Sequence, residues 1–210
     1  MDVAQFIGGF IADHEGGLSI DPDDTGNWFH EKGRTPILVG SKYGVTGATL
    51  AAFRGLARIT AIDMALLKKE EAVRIGVRLY YEQPAFDLLP WNPLTASLVD
   101  MGWGAGTGQA TRLFQRMIGA NDDGVMGPRT VGAFHQFVKE HGLSGAARCW
   151  GEVRLAFYDR IIVARPTNAK YRNGWRRRTR SFLPGTPWWG LWSSASPFPN
   201  PQQPGLPRNG

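Results

Sequence analysis

The apolar residues at the start of the chain repeat with the period of an α-helix. They follow the i, i+3, i+4, i+7, i+8 spacing that gathers hydrophobic side chains on one helix face. These residues are Val3, Phe6, Ile7, Phe10 and Ile11. Gly16 and Gly17 come soon after them, and glycine readily takes the left-handed conformation that ends a helix. The pattern therefore predicts a first helix that ends near Glu15.

The helical period is lost over residues 18–45, which are rich in Asp, Gly and Thr. Residues 35–39 and 42–45 have the composition of short strands on either side of Gly40. Thr46 follows them, and a threonine in this place is typical of a helix N-cap. The sequence therefore predicts a small β or irregular excursion over residues 18–45, followed by a short helix.

A longer helix is predicted to begin after Thr60. Thr60 and Asp63 have the spacing of a capping box, with Asp in place of the usual Glu or Gln. Apolar positions that continue the helical pattern are Ile62, Leu66, Val73, Val77 and Tyr80. Pro84 should end the helix, because proline cannot donate the hydrogen bond that the next turn needs.

The second half of the chain is also predicted to be helical. A Gly-rich break at residues 102–108 and a turn at residues 121–127 separate its segments, and Pro128 suits the first turn of a helix. The expected helices cover residues 94–103, 110–118, 128–140 and 144–163. Seven of the fourteen prolines lie in the last 27 residues, so order is expected to fade after Pro184 and residues 194–210 to form a solvated tail.

Length and charge narrow the class of protein. The 210 residues, 42% of them hydrophobic, suffice for one domain or two small ones with a sizeable core. The net charge of +6 is unevenly placed, since residues 165–210 hold eight basic residues and no acidic one. The rest of the chain is close to neutral. The single cysteine, Cys149, excludes an intrachain disulfide and a cysteine-based zinc site.

The sequence shows no targeting or membrane signal. No apolar run approaches the roughly 18–20 residues that a membrane-spanning helix needs. The N-terminus carries Asp2 instead of a basic region, and its apolar residues are spaced, so we expect a folded helix there and no signal peptide. These features predict synthesis in the cytoplasm.

Glu15 is the leading candidate for a catalytic side chain. We expect it at the carbonyl end of the first helix, where the dipole disfavours negative charge, and at the edge of the apolar stripe. Both effects would raise the pKa of its carboxyl group. A carboxylic acid still protonated near neutral pH is what a glycosidase uses to protonate the leaving-group oxygen. On position alone, a solvated helix-end glutamate is the competing interpretation.

The sequence that surrounds Glu15 carries a family signature. Residues 14–24 read His-Glu-Gly-Gly-Leu-Ser-Ile-Asp-Pro-Asp-Asp, and residues 43–46 read Tyr-Gly-Val-Thr. This order resembles the N-terminal signature of the glycoside hydrolase family 108 lysozymes, in which Glu-Gly-Gly-Tyr precedes Asn-Asp-Pro-x-Asp and Tyr-Gly-Ile-Thr. Leu18 replaces the family's tyrosine, and residues 27–42 form a longer link than the family's.

The downstream half is similar to the same family in several motifs. Residues 114–130, with Asp123-Gly-Val-Met-Gly-Pro-Arg-Thr130, resemble its predicted peptidoglycan-binding segment, although Gly104 stands where the family often has Asn. The other matching segments are residues 80–84, residues 88–106, Arg154-x-x-x-Tyr158 and Gly174-Trp175-x-x-Arg178. The resemblance, which is also to phage endolysins, covers about residues 3–180.

The resemblance implies a mainly α, lysozyme-like fold and a muramidase that cleaves peptidoglycan without a cofactor. The bond cleaved would be the β-1,4 bond between N-acetylmuramic acid and N-acetylglucosamine. Glu15 matches the family's catalytic glutamate, and Tyr43 and Thr46 are the expected substrate-binding residues. Asp24, Asp21 and Thr46 are candidates for the second catalytic group. We prefer Asp24, at the family's second aspartate, because most glycosidases use two carboxylates.

The acidic loop has other interpretations. Asp21 precedes a proline and suits an Asx turn, and Thr46 suits an N-cap. Residues 21–26 also match positions 1, 3, 5 and 6 of an EF-hand calcium loop, but position 12 is Lys32 and Glu31 stands one residue early. The four histidines lack metal-binding spacing, so we expect no metal.

The Asp123–Thr130 motif and the basic C-terminal stretch each have two interpretations. The motif would either dock stem peptide or glycan, or form a turn in which Gly124 and Gly127 take positive φ; we prefer the turn. The stretch 165–192 combines arginines with Trp188, Trp189 and Trp192. It suits attraction to an anionic envelope surface, or a solvated helix face with packed indoles. No nucleic-acid motif accompanies its charge.

Together these patterns predict three parts of the chain. Residues 1–90 form a catalytic lysozyme-like half, residues 91–183 a helical peptidoglycan-binding half, and residues 184–210 a Pro/Trp-rich tail. The expected enzyme reaches the cell wall after holin release, by lysis, or as part of a phage-type particle with particle proteins as partners. A lytic transglycosylase and a catalytically silent envelope-binding or particle-structural protein are the alternatives.

Overall fold

The computed structural model describes residues 1–14, 17–31 and 33–193. The chain divides into two compact units, Met1–Leu88 and Leu89–Gly210. In the described residues helices dominate, with two small antiparallel sheets, which confirms the expected mainly α, lysozyme-like fold. Within the same residues no helix combines the length and the hydropathy needed to cross a bilayer.

The first unit begins with the predicted helix. Helix α1 spans Val3–His14, and Phe6, Ile7 and Ile11 from its apolar stripe are buried. The other helices of this unit are α2 (Gly47–Arg54), α3 (Ala61–Ala65) and α4 (Lys69–Val77), followed by a π-helical segment (Arg78–Glu82) and a 3₁₀ turn (Phe86–Leu88). Burial of the stripe on α1 supplies the hydrophobic free energy that fixes this helix in the unit.

The expected single helix after Thr60 is wrong, because the chain breaks between α3 and α4. The capping box of Thr60 and Asp63 is confirmed, but α3 ends at Ala65. Ile62 and Leu66, placed in the predicted stripe, are 70% and 69% exposed. Met64 and Leu67 are buried in their place, so the break turns a different set of apolar side chains toward the core.

The irregular excursion contains two short β-ribbons. Strand β1 (Trp28–Phe29) pairs antiparallel with β2 (Ile37–Leu38), and β3 (Ser41–Lys42) pairs with β4 (Val45–Thr46). The strand predicted over residues 35–39 is present in part as β2. Residues 42–45, predicted as one strand, instead hold the turn between β3 and β4, and β1 was not predicted. Gly40 has φ +85°, and a Cβ there would lie 2.5 Å from the carbonyl oxygen of Ser19, so only glycine fits between β2 and β3.

The second unit holds α5 (Pro93–Ala105), α6 (Thr107–Met117), α7 (Pro128–Ala164), a 3₁₀ segment (Pro166–Tyr171), α8 (Arg172–Ser181) and α9 (Pro187–Ser193). Gly106 separates α5 from α6, as the Gly-rich break predicted. Gly142, with non-helical φ and ψ, divides α7 between the two helices that were predicted there. Helix α9 lies where order was expected to fade, while residues 194–210 lie outside the described residues.

In the buried polar part of the second unit, the carboxylate of Asp100 binds two arginines. Asp100 accepts hydrogen bonds from Arg154 of α7 and, at 2.7 Å, from Nε of Arg178 of α8. Arg154 also donates to the hydroxyl and the carbonyl oxygens of Ser97. Tyr158, one helical turn after Arg154, stacks on Trp175, with ring centroids 4.8 Å apart. These contacts hold α5, α7 and α8 together.

Candidate active site

The loop after α1 is held in place by one buried side chain, Asn27. Its amide nitrogen donates to the carbonyl oxygen of Asp21 at 2.9 Å and to the hydroxyl of Ser19 at 3.2 Å. Its main-chain oxygen accepts from the N–H groups of Val39 and Gly40. Asn27 therefore joins the acidic loop to the β-ribbons, a role that sequence analysis missed because nothing in the local pattern shows that this asparagine is fully buried.

Asp24 caps the 3₁₀ turn Thr25–Asn27 that leads into β1. Its Oδ1 accepts a hydrogen bond from the N–H of Gly26 at 2.8 Å. The side chain is otherwise exposed to solvent. A short side chain at an N-cap is fixed by its own turn, so the carboxylate of Asp24 has a defined position while remaining accessible.

Thr46 lies beside Asp24. A Cβ on Gly26 would lie 3.2 Å from Oδ1 of Asp24 and 3.5 Å from the methyl carbon of Thr46, so both side chains border the same glycine. Thr46 is the N-cap of α2, as predicted, and its hydroxyl accepts from the N–H of Thr49. The fold thus brings together two of the predicted site residues that lie 22 positions apart.

Tyr43 occupies the tip of the β3–β4 hairpin. It and Gly44 form a two-residue turn with φ of 56° and 73°, the conformation of a type I′ turn. Positive φ is uncommon for a tyrosine, and such positions often occur at functional sites. The ring is half-buried, and the ammonium group of Lys42 lies 5.3 Å from its centroid.

The ammonium group of Lys42 ties this hairpin to α3. It donates to the carbonyl oxygen of Ala65, the last residue of α3, at 2.6 Å. That carbonyl belongs to the last turn, where helix oxygens lack an intrahelical partner. The contact therefore satisfies a helix end and fixes the base of the turn that carries Tyr43.

Glu15, the predicted general acid, lies outside the described residues, and so does Gly16. The structure describes α1 up to His14 and resumes at Gly17. The sequence-based expectation of a raised pKa for Glu15 therefore stays a prediction.

Asp21 and Asp23 belong to the turn itself. Oδ1 of Asp21 accepts from the N–H of Asp23 at 2.9 Å, which is the Asx turn that the sequence predicted. Among the residues that the structure describes, no group of three or more His, Cys, Asp or Glu side chains could hold a metal ion. Lys32, which fills the closing position of the EF-hand pattern, lies outside them.

The Asp123–Thr130 motif forms a closed structural turn. Oδ1 of Asp123 accepts from the N–H of Val125 and from the amide of Gln115, and these hydrogen bonds lower the pKa of Asp123. Gln115 is fully buried and also bonds Gly124. Gly124 has φ +81°, as predicted, whereas Gly127 is extended, so the expectation of positive φ there was wrong. These hydrogen bonds hold the turn against α6.

Comparison with known protein families decides the identity of the chain. Residues 9–106 match the model of the family described as Glycosyl hydrolase 108. Residues 9–106 form a glycosyl hydrolase family 108 domain. A second model, described as Predicted Peptidoglycan domain, matches residues 109–180. The first match includes α5 and so continues past the boundary between the two units.

Solved structures support the fold of this chain. It is similar to the structure of Brucella abortus SagA, with a TM-score of 0.63 and 24% sequence identity, over 86% of this chain and 90% of that chain. No curated protein matches its sequence. The family 108 domain indicates a glycoside hydrolase that degrades peptidoglycan as a muramidase, and the second matched domain makes peptidoglycan its partner.

Proposed function

We propose that this muramidase uses Glu15 as the general acid and Asp24 as the second carboxylate. The bond concerned is the β-1,4 bond between N-acetylmuramic acid and N-acetylglucosamine. Glu15 would protonate the glycosidic oxygen while the sugar develops oxocarbenium character. The observation that supports Asp24 is its accessible carboxylate, fixed at the start of a 3₁₀ turn beside Thr46.

Asp24 would act on the sugar ring or on a water molecule. A carboxylate in this place either stabilises positive charge on the anomeric carbon or activates the attacking water. Thr46 would border the reacting sugar, and Tyr43 would contact a neighbouring one through its half-buried ring. The loop that carries Asp24 is anchored by buried Asn27, which limits the cost of ordering the site when substrate binds.

Glu15→Gln tests the general acid. We expect release of muropeptides from purified sacculi to fall by about 10²–10⁴-fold, the usual contribution of general acid catalysis. Glu70→Gln, on the exposed surface of α4, is the matched control and should act like the wild type. Equal activity of Glu15→Gln and the wild type would exclude Glu15, and an inactive wild type would favour the catalytically silent alternative.

Asp24→Asn separates chemistry from capping, because asparagine keeps the oxygen that accepts from Gly26. We expect a lower rate of muropeptide release with an unchanged melting temperature. Asp23→Asn removes an equally exposed charge from the neighbouring residue and serves as the control. If Asp24→Asn releases muropeptides at the same rate as Asp23→Asn, Asp24 is a structural N-cap and not a catalytic residue. Mass spectrometry of the fragments separates hydrolysis from transglycosylation, since anhydro ends are one water lighter.

We also propose that the C-terminal part of the chain directs the enzyme to its place of action. The basic and Trp-rich segment 165–192 supports attraction to an anionic envelope surface, since its described part holds no acidic residue. Release by a holin, by lysis or within a phage-type particle, with particle proteins as partners, stays a prediction from the sequence.

A further inference from the structure

Helix α8 presents a row of arginines on one side. At about 100° per residue, Arg172, Arg176, Arg180 and Arg177 fall within an arc of about 140°. We call these four residues the arginine face. Buried Thr179 and half-buried Trp175 lie outside this arc, on the side that packs against the unit.

Most of the charge on the arginine face is not neutralised within the unit. Arg176 pairs with Asp159 at 3.4 Å. Arg172, Arg177 and Arg180 are exposed, and among the described residues no carboxylate lies within ion-pair distance of them. Lys170 and Arg165, also exposed, precede α8 and add positive charge. Such a concentration of one sign attracts an anionic partner over about a Debye length.

Helix α9 places apolar side chains next to α8 in the chain and in space. Its sequence, Pro-Trp-Trp-Gly-Leu-Trp-Ser, has no charged residue. Trp188 packs on Phe182 just after α8, with centroids 5.8 Å apart, and Trp192 packs on Trp91 at 5.2 Å. These contacts anchor the helix, yet its tryptophans stay half-exposed and Leu191 is 53% exposed.

We propose that the arginine face and α9 form a docking surface for bilayers of anionic phospholipid. Arginines that attract phosphate headgroups, beside tryptophans and a leucine that enter the interface, are the chemistry of peripheral membrane binding. A nucleic acid or a soluble polyanion would use the arginines and leave Leu191 in water. This binding rests on the attraction to an anionic envelope surface proposed above and names its ligand, and it needs neither Glu15 nor Asp24.

Flotation with vesicles of phosphatidylglycerol and phosphatidylcholine in equal parts tests the surface, with pure phosphatidylcholine as the neutral comparison. We expect the full-length protein to float with the anionic vesicles, and to detach as salt is raised. The triple variant Arg172→Gln, Arg177→Gln, Arg180→Gln should bind on the order of 100-fold more weakly, about fivefold for each arginine.

Two further variants define what the surface recognises. Arg58→Gln, Arg129→Gln, Lys139→Gln removes three exposed cations elsewhere and should bind as the wild type does. Leu191→Asn should weaken vesicle binding several-fold at unchanged charge. The proposal would be overturned if the arginine variant bound vesicles as the wild type does, or if the control variant Arg58→Gln, Arg129→Gln, Lys139→Gln lost as much binding. Full binding by Leu191→Asn would also overturn it, in favour of a soluble polyanion as the ligand.

Activity on purified sacculi distinguishes this proposal from the assignment of the active site. The arginine variant should release muropeptides at the wild-type rate, because sacculi contain no bilayer. A matching loss of that activity would place these arginines in peptidoglycan binding and overturn their assignment to lipid. Failure of Glu15→Gln to lose activity would instead affect the catalytic proposal alone.

Discussion

Removal of the Asp100 carboxylate should destabilise the second unit more than removal of either arginine that it binds. The side chains of Asp100 and Arg154 are 1% and 0% exposed, and that of Arg178 is 25% exposed. In Asp100→Asn one acceptor oxygen remains for two arginines, and the buried Arg154 guanidinium keeps the Ser97 oxygens but loses its counter-charge. Loss of one member of a buried pair costs about 3–5 kcal/mol, because the other charge is left uncompensated.

The cost should be lower at the two arginines. Arg154→Met leaves Asp100 with the hydrogen bond from Arg178, so the buried negative charge of Asp100 keeps one cationic partner. Arg178→Gln leaves Asp100 paired with Arg154, and its own site is partly open to water, so we expect about 1–2 kcal/mol. The expected order of destabilisation is Asp100→Asn, then Arg154→Met, then Arg178→Gln.

Urea unfolding followed by tryptophan fluorescence measures these differences. Seven of the eight tryptophans lie after residue 88, so the signal reports mainly the second unit. Asp122→Asn, which breaks the exposed pair with Arg116, is the control and should cost less than about 1 kcal/mol. Equal free energies of unfolding for Asp100→Asn and Arg178→Gln would refute the role of Asp100 as the shared acceptor.

Three other changes should affect the first unit. Gly40→Ala should lower the melting temperature by several degrees, because its Cβ would clash with a carbonyl oxygen. Thr46→Ala should cost about 1 kcal/mol in urea unfolding, and Thr46→Ser little, because serine also caps helices. Hydrogen bonds from Arg54 lower the pKa of Glu71 below its ordinary 4.5. Their contribution to the free energy of unfolding is therefore present above pH 4.5 and is lost as pH falls through the folded pKa. In Arg54→Gln the free energy of unfolding should accordingly fall less steeply as the solution is acidified.

Local signals in the sequence were sufficient for much of the fold. The stripe on α1, the cap at Thr46 and the break near Gly106 each depend on residues a few positions apart, and all are present. The helix after Thr60 was predicted wrongly because two apolar sets, one with Ile62 and one with Met64, fit a helical period equally well. Only tertiary packing, which buries Met64, selects between them.

The sequence predicted which residues belong to the candidate site but not how they are arranged in space. Asp24 and Thr46 were chosen by resemblance, and neither composition nor period could show that both border Gly26. Asn27 gave no signal at all, since asparagine is ordinary in turns and its burial follows from contacts with strands more than ten residues away. Non-local contacts of this kind form only when the whole loop closes on the sheets.

The closing-helix motifs that resemble the family are explained by packing. Arg154 and Arg178 share Asp100, while Tyr158 and Trp175 stack on each other, so these motif residues contact one another inside the second unit. Arg154 and Tyr158 are buried by these contacts, and Arg178 and Trp175 are partly buried by them. The motifs therefore account for the architecture of the helical half that matches the predicted peptidoglycan domain.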